Sequence, residues 1–170
     1  MQRPKKNEYA PFHAAYLQLL PPRSGARTLL RKGFREARDL LLSIPESKGD
    51  YAYAPGKWTV KQVIMHLIDT ERVFAYRILC FLRKDRIALP GFNQNFWAEE
   101  YAVEGRSIRS LLQEWKVVRD NTLFLLEQCT PDREAFVGTA SGLPVSARAY
   151  FYVIAGHQIS HLNTLKERYL

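Results

Sequence analysis

Four histidines stand out among the residues of this chain that could do chemistry, and two of them, His157 and His161, are four positions apart near its end. On a helix that separation stacks two imidazoles one turn apart on one face, which is chelating geometry. Tyr150, Ile154, His157, His161, Leu165 and Arg168 follow helical spacing, so the face the pair shares is expected to turn inward. In an earlier stretch His66 lies beside Val63, Leu67 and Thr70, on the side expected to be buried. Three imidazoles would supply three corners of a tetrahedron and leave the fourth open, as catalytic rather than structural zinc sites do. Cys80 cannot readily close that corner, because it follows His66 by fourteen residues in the same helix, about 21 Å along the axis. A single inward histidine is as readily a core residue hydrogen-bonded to a carbonyl, and spacing alone leaves both readings of the trio open.

Around these residues stand candidates for supporting roles. Asp69, three positions after His66, could orient a ligating imidazole, with a helix salt bridge to Arg72 or Arg77 as the alternative. Trp58, Asn93 and Trp97 are candidate pocket walls or substrate contacts, against plain core packing for the two tryptophans. Glu71 is rotated away from His66 and reads as a solvated or ion-paired acid, and His13 reads as local packing or capping. No residue announces itself as a general base, so catalytic residues are left unassigned.

The elements that must position these side chains are helical. An aromatic opening, residues 1–24, contains Pro11 and the pair Pro21 and Pro22 and is expected to lie across the rest as a packing segment. Ser24 could cap a first long helix over about 25–43, which ends before Pro45, and Thr59 a second that runs to about Arg83. Residues 84–106, with Pro90, Gly91 and several aromatics, read as an ordered loop packed over something. Ser107 opens a third helix with Leu111, Leu112, Trp115, Val118, Thr122, Leu125 and Leu126 on its buried side. An irregular or extended crossing precedes a last helix over about 146–168. The fold class expected is all-α, a four-helix bundle with a long connection between the second and third helices, forming one domain over 1–170.

With 46% hydrophobic and 25% charged residues, the composition is that of an ordinary soluble protein, and no apolar run suits a secretory signal or a membrane span. A cytoplasmic location with Cys80 and Cys129 as reduced, buried thiols is the expectation. The net charge of +8 is concentrated at the start, where residues 1–38 carry nine basic side chains against two acids. Arg27, Arg31, Arg35 and Arg38 recur at helical spacing and could meet phosphate, but no nucleic-acid motif accompanies them and a solvated helix face is the preferred reading.

Several ordered segments together resemble a known family. They are YAPGKWTVKQV from Tyr53, HLIDTER from His66, FAYR from Phe74, LPGFNQ from Leu89, AGHQISHL from Ala155 and the closing ERYL. This set, covering the chain from Tyr53 onward, resembles the DinB-like superfamily, also called the YfiT-like metal-dependent hydrolases. The resemblance implies a four-helix bundle, often a homodimer, with one nickel, zinc or similar divalent ion held by His66, His157 and His161. Two positions depart from the family pattern: Asn93 stands where relatives often carry Asp, and Ser160 where many carry a further His.

The function expected is that of a metal-dependent enzyme in which the ion activates water or a thiol, for hydrolysis or for transfer involving a low-molecular-weight thiol, on a small-molecule substrate. Two alternatives come from other classes. One is a non-catalytic, metal-stabilised dimeric binding or stress-response protein. The other is a nucleic-acid-associated module built on the basic first helix.

Overall fold

The computed structural model describes all 170 residues. Its helices are α1 (Ala14–Gln18), α2 (Ala26–Ser43), α3 (Val60–Leu82), α4 (Gln94–Glu99), α5 (Ile108–Glu127), α6 (Pro131–Glu134) and α7 (Ala147–Arg168), with strands β1 (Val137–Ala140) and β2 (Leu143–Ser146) before the last. The four long helices form the expected bundle. Three of them start on a side chain that accepts from the backbone of the first turn. Thr59 forms a capping box with Gln62 on α3, Ser107 accepts from Ser110 on α5, and Ser146 accepts from Ala149 on α7. The expected Ser24 cap is not used: α2 starts one residue later on Gly25, without a side-chain cap.

In the bundle α2 packs on α5 and α7, and α3 packs on the same two, so α2 and α3 sit diagonally. Side-chain contacts fix the directions. Arg72 meets Glu114 and Arg83 meets Gln128, so α3 and α5 run parallel; His66 meets His157 and Arg77 meets Tyr150, so α3 and α7 run antiparallel. Parallel neighbours cannot be joined by a tight turn. The long connection over 83–107 exists for this reason, and α4 forms inside it where sequence alone suggested loop.

The stretch before α7 is an antiparallel hairpin with a two-residue turn, Ser141 and Gly142, both at positive φ (52° and 76°). That is the backbone a tight, right-twisted hairpin requires. A bridge from Leu89 to Ala140 ties the hairpin to the long connection. The opening segment packs on α7 as expected. Gly156 allows this, since a Cβ there would lie 2.2 Å from the Tyr16 carbonyl oxygen. Arg27, Arg31, Arg35 and Arg38 are all exposed, Arg27 pairing with Glu127 and Arg38 with Asp39. No helix is long and apolar enough to cross a membrane. Cys80 and Cys129 are free and only half-buried, and burial followed by the Glu134 charge pushes the Cys129 thiol up to about 12.

The apolar core is divided into two clusters, of 22 and 17 buried residues. Between them runs a polar layer centred on Glu71, which is ion-paired and only 2% exposed. Its carboxylate accepts from Trp115 Nε1 at 2.8 Å, Arg119 Nε at 2.7 Å, Arg119 Nη2 at 2.9 Å and Thr122 Oγ1 at 2.8 Å. Arg119 also donates to the Leu30 carbonyl on α2 at 2.6 Å and to Gln158 Oε1 on α7 at 2.9 Å. All four long helices therefore meet in one network. Removing one partner leaves a buried charge uncompensated, so Glu71→Gln should destabilise the fold by roughly 3 to 5 kcal/mol. The double change Glu71→Leu with Arg119→Met should recover most of that, as read from urea unfolding midpoints.

Candidate metal centre

His66 from α3 and His157 and His161 from α7 converge where these antiparallel helices cross, with one ligand nitrogen from each within 4.8 Å of the others. His157 Nε2 lies 3.0 Å from His66 Nε2 and 3.1 Å from His161 Nε2. Nitrogens held 2.0 to 2.1 Å from a shared ion are separated by about 3.0 Å at right angles and about 3.4 Å at tetrahedral angles. Both separations from His157 therefore fit imidazoles that share a divalent cation, and the third nitrogen pair stays within 4.8 Å. Hydrogen bonding alone fits the trio less well, because His157 offers one Nε2 to two others.

Electrostatics favour the lone pairs. Burial, and then the neighbouring His161, lower the His66 pKa to about 3, and burial lowers that of His161 to about 4. His157 falls well below the usual imidazole value through burial first and then the neighbouring His161, His66 and His13. All three rings are thus neutral near pH 7, the form that binds metal. Thr70 Oγ1 lies 3.4 Å from His66 Nδ1, one helical turn on, and orients the ring so that Nε2 faces its partners. Trp58 covers the cluster, its ring centroid 4.8 Å from His66 and 6.5 Å from His161. The Tyr16 ring meets His157 edge-on at 5.3 Å.

Other expected participants lie elsewhere. Asp69 does not reach His66; Arg72 takes its carboxylate at 2.8 Å and extends the ion-pair chain to Glu114 on α5. Asn93 is exposed and caps α4 through Asn95 and Phe96, so it is a structural start signal rather than a cavity wall. Trp97 is half-buried and stacks on Phe92 at 4.6 Å, supporting the loop from behind. Arg168, counted in the inward stripe, is exposed at the last turn.

A cavity of about 400 Å³ opens beside the cluster, and His157 forms part of its wall. The loop residues Gly91, Phe92 and Gln94 and the hairpin residue Ser141 also line it, so the long connection does cover something. Also in the wall are His13, Arg77 and Tyr150, which sequence reasoning left out of the site. A signal existed for Arg77: His66, Thr70, Phe74 and Arg77 follow a 4-4-3 spacing on one face of α3. His13 is 3% exposed, Nδ1 without a partner, and burial and then Arg77 lower its pKa to about 4.

These four histidines set the acid response of the metal-free protein. The unfolded chain takes up protons at the ordinary value near 6.5, whereas the folded rings resist them down to about 4 or below. Their contribution is complete above the unfolded value and is lost as pH falls through this window. The urea midpoint of metal-free protein should therefore drop between pH 7 and pH 5, and the drop should be shallower in His13→Phe.

No curated protein matches the chain. Among solved structures, YfiT from Bacillus subtilis aligns with a TM-score of 0.71 at 18% identity, covering 99% of this chain and 93% of that one. YfiT is described as "a probable metal-dependent hydrolase with an unusual four-helix bundle topology". The likeness establishes the shared fold. The family model of the DinB superfamily matches residues 29–165, well over half of the sequence, and the chain belongs to that superfamily.

Proposed function

We propose that this protein is a metal-dependent hydrolase of small molecules, with one divalent ion held by His66, His157 and His161. The observation that carries this reading is the convergence of three neutral imidazole nitrogens within 4.8 Å, one of them, from His157, belonging to a residue that lines a cavity large enough for a small substrate. YfiT, which shares the fold, is described as a probable enzyme of this kind, and that description supports the reading. Nickel and zinc both suit an all-imidazole site, and availability decides between them as much as affinity.

A divalent ion on such a site supplies Lewis acidity at neutral pH, lowering the pKa of a water or thiol and polarising an acyl oxygen. The chain's own residues do the rest. Thr70 orients the His66 ring through Nδ1, Trp58 and Tyr16 pack against two sides of the cluster, and Phe74 walls the cavity. No carboxylate lines the cavity, and His13, whose Nδ1 has no hydrogen-bond partner, is held neutral there as a weak base. The missing carboxylate favours a second reading, transfer to or from a low-molecular-weight thiol, because a metal deprotonates a coordinating thiol without a strong base.

Elemental analysis of protein purified without a histidine tag should find about one nickel or zinc per chain, lost in His66→Ala, His157→Ala and His161→Ala while circular dichroism stays helical. Loaded protein should then hydrolyse amide or ester substrates, or transfer a thiol, at rates these variants lack. No metal uptake by wild type would sink the reading. Metal uptake with neither activity would leave a metal-stabilised binding protein, dimeric if its mass in solution is twice that of one chain.

A further inference from the structure

Arg77 is a buried cation that the fold leaves without a counter-ion. It is 4% exposed, yet no carboxylate lies within salt-bridge distance of it. Its contacts are neutral: Nη1 donates to Tyr150 Oη at 3.1 Å, and Nη2 to the Pro90 carbonyl at 2.6 Å and to Ser141 Oγ at 3.1 Å. A guanidinium has five N–H donors, so Nε and one hydrogen of Nη1 remain without a protein acceptor. The guanidinium carbon also sits 5.8 Å from the ring centroids of both Phe74 and Tyr150. The two other buried arginines have acids: Arg119 pairs with Glu71, and Arg148 with Glu8. Burying a charge without a partner is costly, and here the uncompensated one lines the cavity beside the histidine cluster.

A second, independent observation points to the same space. His13 lines it too, is 3% exposed, and has an Nδ1 with no hydrogen-bond partner. Buried polar atoms are nearly always paired, so an orphan beside an unpaired cation marks a place where a ligand completes the bonding. No acidic side chain lines the cavity, and the rest of its wall is largely aromatic, including Phe12, Tyr16 and Phe92.

We propose that this cavity binds a small organic carboxylate, with Arg77 as the anchor of the carboxylate and the aromatic wall around an apolar body. With both Nη2 hydrogens held by Pro90 and Ser141, the free Nε and Nη1 hydrogens offer single charge-assisted bonds to a carboxylate oxygen, and one cation neutralises one negative charge. A phosphate dianion would bring excess charge into a low-dielectric pocket with no second cation to meet it. Seven residues of α7, about 10 Å of axis, separate Tyr150 beside the guanidinium from His157 in the cluster. A bound acid therefore extends from its carboxylate toward the cluster, which sets a reacting bond several atoms away from the carboxylate. As a substrate class this rests on the metal-dependent reading above, but the anion site itself exists in metal-free protein and is tested there.

The test is calorimetric titration of metal-free protein at pH 7 with 4-phenylbutyrate, its uncharged amide 4-phenylbutyramide, and inorganic phosphate. The carboxylate should bind, and the amide should bind roughly tenfold more weakly or less, because it forfeits the charge-assisted bonds. Arg77→Met should abolish that preference, whereas Arg77→Lys, which keeps the charge and loses the contacts that hold the guanidinium in place, should retain part of it. Equal binding of acid and amide, no binding of the acid at millimolar concentration, or tighter binding of phosphate would overturn the proposal. The comparison of ligands on wild type decides the matter even should Arg77→Met fail to fold. Carboxylate binding without any metal uptake would preserve the anion site and remove only its link to metal chemistry.

Discussion

A carboxylate can sit in the middle of a helix bundle only if its charge is met from every side, and the Glu71–Arg119 pair meets that condition with groups from all four long helices. The rest of the structure depends on it. Each donor has a fixed direction, so sliding α5 along α3 by one turn would strand both charges. A dry apolar interface would tolerate such slippage better than this layer does. The pair therefore specifies the register of the two parallel helices, which no tight turn could set. It also decides which face of α3 turns where. Glu71 is committed to α5, and with residues 66, 70, 74 and 77 on the adjoining face, the histidine, threonine, phenylalanine and arginine of α3 are presented to α7 and the cavity.

The histidine cluster inherits its precision from that arrangement. Three imidazoles that are nearly free of solvent cannot readily be charged, so they stay neutral with lone pairs available. Neutral rings facing one another nitrogen to nitrogen are poorly satisfied by mutual hydrogen bonds, and a cation resolves the conflict. Desolvation thus has two opposite effects on the same residues: it weakens the metal-free fold in acid and favours the form that binds an ion.

Much of this was legible in the sequence, for identifiable reasons. Helical periodicity with cap residues at Thr59 and Ser107 located the long helices, because capping and amphipathicity are local properties. The i, i+4 histidines were visible for the same reason, and His66 joined them through its place on a buried face. Interactions decided by competition between partners were not legible. Asp69 has the right spacing to reach His66, yet Arg72 holds it, and Asn93 serves the backbone of α4 instead of the cavity. The hairpin was reduced to an extended crossing, although Ser141 and Gly142 between two short apolar runs are a recognisable turn signal. His13 belongs to the site only because Gly156 lets the opening segment lie against α7, a contact between residues more than 130 positions apart.

The two buried arginines facing α7 show how one fold separates structural charge from functional charge. Arg119 is surrounded by acceptors, including the Glu71 carboxylate, the Leu30 carbonyl and Gln158, which take four of its five N–H donors and cancel its charge. Arg77, six residues further along α3 than Glu71, finds only neutral partners contributed by the long connection, the hairpin and α7. Those three contacts hold the guanidinium in place without cancelling its charge. Positioning and neutralisation are thus divided between different elements: the helices neutralise their own ion pair, while irregular segments hold an uncancelled one against the cavity. Loading a divalent ion on the nearby imidazoles would add positive charge to the same wall. The bundle's fixed electrostatics therefore favour anionic occupants, and the loop and hairpin that shape the cavity are the segments through which their size could be selected.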